Sequence, residues 1–190
     1  MRQLPNIAII GGTRSGKDTF YKYIKSLGYP VKRVAFGDVL KEQFHSIFTE
    51  IPVSPKPIKE YVEYGQALRS IDPLVFVRPT LGAVLSHRNW REQTFPDEPM
   101  SYIFTDIRQQ NEMNAFKKLG GVVVRVFTDE CEQSIRMLME GVTPTIEMFD
   151  APTEKYYKEF EYDHAITNIG TVEEYHEQID QLLKHLEVTN

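Results

Sequence analysis

Cysteine is nearly absent from this chain. The single Cys131 cannot form an intrachain disulfide and fits a reducing cytoplasm. No apolar run approaches membrane-spanning length and no secretory h-region is present, so neither a membrane protein nor an exported one is expected. A basic excess is missing too. With 22 Lys and Arg against 27 Asp and Glu, the net charge of −5 argues against a nucleic-acid platform, which needs a basic face. The five histidines, His45, His87, His164, His176 and His185, lack paired ligand spacing, so no zinc site is expected. There is no internal repeat and no low-complexity tract. The 190 residues suit one α/β domain spanning 1–190 with a real hydrophobic core.

Against these absences stands one dense local signal. The apolar run Asn6-Ile-Ala-Ile-Ile10 leads straight into "GGTRSGKDT", Gly11 to Thr19. Gly11, four residues, then Gly16-Lys17 matches the phosphate-loop pattern G-x-x-x-x-G-K-[ST] up to its last position. Small residues let the backbone curl until successive N–H groups converge on phosphate oxygens. The following helix adds its positive end, and Lys17 a full charge. Gly12, Thr13, Arg14, Ser15, Gly16, Lys17, Asp18 and Thr19 are therefore candidate nucleotide-binding residues. At the final position Asp18 replaces the usual hydroxyl, and Thr19 comes one residue late. Asp18 either serves magnesium as a carboxylate or only complements the helix dipole.

Strands and helices alternate along the rest. Strands are expected at Val31–Phe36, Ser101–Asp106, Gly121–Phe127 and Asp163–Thr167. Phe20, Tyr21, Ile24 and Leu27 give the first helix a buried stripe that Gly28 ends. A helix from about Asp38 carries Val39, Leu40, Phe44 and Ile47, and another covers Ile58 to Ser70. Asp72-Pro73 reads as an N-cap and first position of a helix running to about Ser86, and Thr94 to Pro99 as a loop. One more is expected around Asn111–Leu119. Thr171-Val-Glu-Glu174 is a capping box for the last helix, with Val172, Tyr175, Ile179, Leu182, Leu183 and Leu186 inside. This alternation predicts a mostly parallel five-stranded sheet with helices on both faces and ligands at the strands' carboxyl ends.

Further candidates lie at that edge. Asp106 closes an apolar strand, where such enzymes hold a carboxylate facing magnesium, or it caps the next turn. Arg108 could grip an anionic substrate bidentately. In "YGQALRSIDPLVFVR", four-residue spacing places Gly65, Gln66 and Arg69 on one helix face, with Arg69 for a phosphate and Gln66 for a base edge. Residues 128–162 form a long polar stretch of the kind that serves as a lid. Arg136, on an expected helix within it, is the candidate for the transferring phosphoryl group. A helix-surface arginine beside Glu132 and Glu140 is the alternative. The aromatic run Tyr156, Tyr157, Phe160 and Tyr162 is expected to pack the end of that stretch.

Taken in order, "GGTRSGKDT", "AFGDVLKE", "YGQALRSIDPLVFV", "TDIRQQNEMNAFKKLGGVVVRV" and "ITNIGTVEEYHEQID" resemble the bacteriophage deoxynucleoside monophosphate kinases. These belong to the P-loop nucleoside-monophosphate-kinase group. Asp106-x-Arg108 followed by Asn111-Glu112 is the most distinctive match, and Asp18 looks like the family's own usage. Gly37 departs from the alanine expected before Asp38. The resemblance covers most of the chain apart from the lid. It implies ATP and Mg²⁺, with Asp18 and Asp106 near the metal and Lys17 and Arg108 in the catalytic role; Arg136 joins them from the reading of the lid alone, which the resemblance does not cover. The turn at Asn168, Gly170 and Thr171 would lie against adenine. The deoxynucleotide would sit over Asp38, Lys41, Arg69 and Arg108, beside a helical region of about 38–92, and the residue reading adds Gly65, Gln66 and Asp106 to that site. It further implies a host-cytoplasmic location and a small-molecule partner, and leaves a homodimer open. The loop variant also resembles phosphomevalonate kinase and, less closely, dephospho-coenzyme A kinase. A nucleotide-dependent switch or hydrolase is the alternative from another class.

Overall fold

In the computed structural model, residues 3–150 and 156–188 are described. Five parallel strands form one sheet: β1 (Ile7–Ile10), β2 (Val31–Val34), β3 (Ser101–Phe104), β4 (Val122–Phe127) and β5 (His164–Thr167). Their order is β2-β3-β1-β4-β5. Ile7 lies opposite Ile103 on one side and Val122 on the other, so β1 is central. Every carboxyl end therefore opens on one edge, and the connections reverse direction between β1 and β3. That reversal makes a crevice in which ligands of open α/β sheets bind.

Alternation along the strands assigns each residue to a face. Ile7 and Ile9 join Ile103, Val124, Val126 and Ile166 under α1 (Lys17–Ser26) and the C-terminal helix, α8 (Val172–Val188). Ala8, Ile10, Tyr102 and Phe104 face the opposite way. Covering them are α2 (Phe36–Ile47), α4 (Val77–Thr94) and α5 (Gln110–Leu119), through Phe36, Val77, Val84, Met113 and Phe116. The helix α3 (Ile58–Ile71) packs on α2, where buried Gly65 meets Leu40 too closely for a Cβ. All five expected strands are present, and so is the capping box. The Thr171 hydroxyl accepts from Glu174 N at 3.2 Å, and the Glu174 carboxylate accepts from Thr171 N at 2.8 Å. Among the described residues no helix is long and apolar enough to cross a membrane.

Several local expectations are corrected. Strand β2 stops at Val34, and α2 begins at Phe36 rather than Asp38. The cause is not local: Asp106, after β3, accepts hydrogen bonds from the N–H groups of Phe36 and Gly37 at 2.8 and 2.7 Å. That remote carboxylate satisfies the donors a helix start leaves orphaned. The buried face of α2 is Phe36, Leu40 and Phe44, while Ile47 is exposed. Asp72 does not start a helix at Pro73. It ends α3, accepts from Leu74 N at 3.0 Å and pairs with Arg78. The next helix, α4, begins only at Val77, with Pro79 in its first turn, where a missing N–H costs nothing. It runs on to Thr94, eight residues past the expected end at Ser86. Leu27 and Val172 are exposed rather than buried.

The stretch expected as a lid contains α6 (Glu130–Met139), α7 (Ile146–Asp150) and a 3-10 turn (Tyr156–Glu159). Part of it, residues 151–155, lies outside the described residues. Within the aromatic run, Phe160 is buried and Tyr157 packs beside it, while Tyr156 and Tyr162 stay exposed.

The fully buried Phe116 meets Phe104 edge-on, with ring centroids 5.3 Å apart. Phe116→Ala should lower unfolding free energy by about 3–5 kcal/mol, read from urea denaturation.

Candidate active site

The loop after β1 curls as its glycines allow. Gly16 has φ 98° and Arg14 φ 56°, and Ser15 between them is fully buried. A Cβ at Gly16 would overlap the Asn168 amide, so this position needs glycine for space as well as for its dihedral. The Lys17 ammonium donates to the carbonyls of Gly11 (2.9 Å) and Gly12 (2.5 Å) and to Ser15 Oγ (3.3 Å). Gly12 is buried, with Gln133 and Tyr157 against it, and Thr13 is half-buried at the loop's turn.

The loop is held from the far end of the chain. Asn168 Nδ2 donates to Ser15 O at 2.9 Å, and the Tyr175 hydroxyl to Gly16 O at 3.3 Å. Burial raises the pKa of the Tyr175 phenol, so it stays a donor. Arg136 is not isolated on a helix surface. It donates to Arg14 O (3.0 Å) and Asn168 O (2.9 Å) and lies 3.4 Å from Glu132. Arg14 in turn pairs with Glu140 at 2.6 Å. Arg136 thus ties α6 to both loops. A cavity of about 450 Å³ opens between them, lined by Lys17, Thr19, Ile135, Asn168, Thr171 and Val172. Gly170 also borders it. Exposed Val172 and Ile135 give this cavity an apolar wall, which accounts for Val172 being outside the core.

A second charged group faces the loop across the β1–β3 crevice. Arg33, at the end of β2, lies 3.6 Å from Asp18 of α1 and 2.6 Å from Asp38 of α2. Lys41 reaches the same Asp38 at 3.2 Å. Partial burial works against ionisation of Asp38, but the hydrogen bonds and charges of Arg33 and Lys41 prevail and hold its pKa below the ordinary value. Arg33 was not among the sequence candidates. Its one signal is a cation near the carboxyl end of a strand bound for the site's edge.

Asp106 lies part-exposed in the crevice, yet is packed closely enough for desolvation to raise its pKa against the two N–H donors from α2. Gly37 answers the departure from alanine, since a Cβ there would come within 3.0 Å of the Asp106 carboxylate. Gly65 and Arg69 share the inner face of α3, whereas Gln66 is exposed beside them. The Arg69 guanidinium rests over the Phe76 ring at 4.8 Å and 3.8 Å from Glu112, and desolvation lowers its pKa. Glu112 is buried and accepts the N–H groups of Arg108 (2.8 Å) and Gln109 (3.1 Å). Glu112, quoted only as a motif letter in the sequence, therefore sets the backbone that carries Arg108.

These residues fit a bound nucleotide and metal. The curled loop, Lys17 and the adjoining cavity suit a polyphosphate with its base. Magnesium retains several waters and needs only one or two carboxylates; Asp18 lines this cavity, whereas both Asp106 oxygens are engaged by the N–H groups of Phe36 and Gly37. Among the described residues no cluster of three or more His, Cys, Asp or Glu forms a separate metal cage. A further cavity, about 380 Å³, opens at the opposite edge of the sheet beside Asn6, Arg91 and Gly120, away from the phosphate loop.

No family model matches this chain, and no curated protein matches it. Solved structures do. A gluconokinase from Sinorhizobium meliloti 1021 aligns over 100% of this chain and 97% of its own, with TM-score 0.58 and 16% identity. TT1252 from Thermus thermophilus aligns over 97% and 99%, with TM-score 0.58 and 18% identity. A shikimate kinase from Acinetobacter baumannii, in complex with shikimate, aligns over 100% and 96%, with TM-score 0.51 and 14% identity. The chain has the α/β P-loop kinase fold. That support is broader than the phage-type resemblance, because the kinases named are a gluconokinase and a shikimate kinase.

Burial above all raises the Glu112 pKa, from 4.5 to about 7. The folded state then binds this proton more tightly than the unfolded chain. The group's contribution to stability is full below pH 4.5 and is lost as pH rises through about 7. Stability should fall by roughly 1–3 kcal/mol across that window. In Glu112→Gln the fall should flatten, as measured by urea denaturation at successive pH values.

Proposed function

We propose that the chain catalyses ATP-dependent phosphoryl transfer to a small phosphorylated acceptor, with deoxynucleoside monophosphates as the favoured class. One observation carries the reading. The same sheet edge bears the Lys17 loop and, across the β1–β3 crevice, a second charged group of Arg33, Asp38, Lys41, Arg69 and Asp106. A switch or hydrolase requires only the first of these. The gluconokinase and shikimate kinase folds support a small-molecule acceptor, and the Asp106-x-Arg108 and Asp18 motifs favour a nucleotide.

Lys17 and the loop N–H groups hold the donor phosphates, while Arg136 and Asn168 keep that loop in shape. Arg69, Arg108 and Lys41 hold the acceptor phosphate, aligning its oxygen with the γ-phosphorus. Magnesium, when bound, neutralises charge on the donor phosphates. No side chain need act as a strong base, because a phosphate oxygen is already deprotonated at neutral pH. The α6 segment over the loop excludes water that would otherwise hydrolyse the donor.

Lys17→Ala should abolish transfer while leaving circular dichroism and melting temperature near those of the parent; retained turnover would overturn the loop assignment. The acceptor is tested by incubating the protein with ATP, Mg²⁺ and a panel of compounds, measuring ADP and phosphorylated product. The panel holds deoxynucleoside monophosphates, phosphomevalonate, dephospho-coenzyme A, gluconate and shikimate. Diphosphate formed from deoxynucleotides is the expected result. Product from another member reassigns the acceptor, and ADP release indifferent to every acceptor favours the hydrolase or switch.

A further inference from the structure

One buried hydroxyl at the crevice has no partner. Thr105 is 3% exposed, its N–H donates to Val34 O at 3.1 Å in the strand ladder, and its Oγ1 makes no hydrogen bond. The other unpartnered buried side-chain atoms among the described residues are Nε atoms of Arg14, Arg88 and Arg91. Those guanidinium groups also reach Glu140, Glu92 and Glu98, so only Thr105 is left with its whole polar group unanswered. A buried orphan hydroxyl costs stability and calls for an explanation.

Its position supplies one. Strand periodicity puts Thr105 on the face of Ile103, the face that α1 covers with Phe20 and Ile24. Arg33 on neighbouring β2 has the same parity and reaches Asp18 in the first turn of α1 at 3.6 Å. Arg33 therefore links the sheet face that carries Thr105 to the first turn of α1. The residue after Lys17, which in the phosphate-loop pattern is the magnesium hydroxyl, is here Asp18.

We infer that Thr105 restores this hydroxyl from a different strand, its Oγ1 serving the hydration shell of the metal–nucleotide beneath Asp18. This rests on the nucleotide-binding reading above. Phosphate loops supply the hydroxyl in sequence; this chain divides the task, with a carboxylate on α1 and the hydroxyl immediately after β3.

Calorimetric titration of ADP into the protein at a series of Mg²⁺ concentrations tests the assignment. Thr105→Val should raise the Mg²⁺ needed for half-maximal enhancement of ADP binding by roughly five- to tenfold, the effect of one hydrogen bond. Binding of ADP without Mg²⁺ should not change. Thr105→Ser should behave as the parent, and Asp18→Ser added to Thr105→Val should recover most of the Mg²⁺ response. The melting temperature of free Thr105→Val should equal or exceed the parent's, since an orphaned polar atom is removed. An unchanged Mg²⁺ response in Thr105→Val overturns this inference alone, and so does a lowered melting temperature with weaker binding in both conditions. A parent protein whose ADP binding ignores Mg²⁺ overturns the nucleotide reading and this inference with it.

Discussion

The carboxylate of Asp106 grips the first two N–H groups of α2, and the charged side of the crevice follows from that grip. It sets where α2 begins, and so where Asp38 and Lys41 stand relative to Arg33. The helix α3 packs on α2 through Gly65, which carries Arg69 to the buried Glu112. Glu112 closes the circuit by holding the backbone at Arg108, two residues beyond Asp106. Burial makes the arrangement costly to break, because N–H donors deprived of the carboxylate would remain unsatisfied in the crevice.

The two halves of the site are built by different means. The loop half is mostly backbone, a curled turn at a helix start braced by Asn168, Arg136 and Tyr175. The half across the crevice is mostly side chains of both signs, paired among themselves. Arg33 joins the halves, touching Asp18 on one side and Asp38 on the other. Paired charges restrict the rotamers of long side chains, which would lower the ordering cost of any ligand that meets them.

What the sequence disclosed divides along the same line. The phosphate loop, all five strands and the Thr171 capping box each leave a local pattern of glycine spacing, apolar runs or capping residues, so residue order is enough to find them. The start of α2 is set by a carboxylate 70 positions away, and propensity around Asp38 holds no trace of it. Nothing in the spacing of "VKRV" marks Arg33, because its partners come from two helices. Val172 has the spacing of a core residue, but it lines the cavity beside the phosphate loop. The opening of α4 was misplaced because an aspartate before proline caps a turn as readily as a helix.

The bracing of the phosphate loop has a consequence for the order in which the molecule is made. Asn168 and Tyr175 follow the loop residues they hold by 153 and 159 positions. A chain emerging from the ribosome carries the whole of "GGTRSGKDT" early, yet lacks those supports until β5 and α8 have been synthesised. The shape of that loop is thus written at one end of the chain and completed by the other.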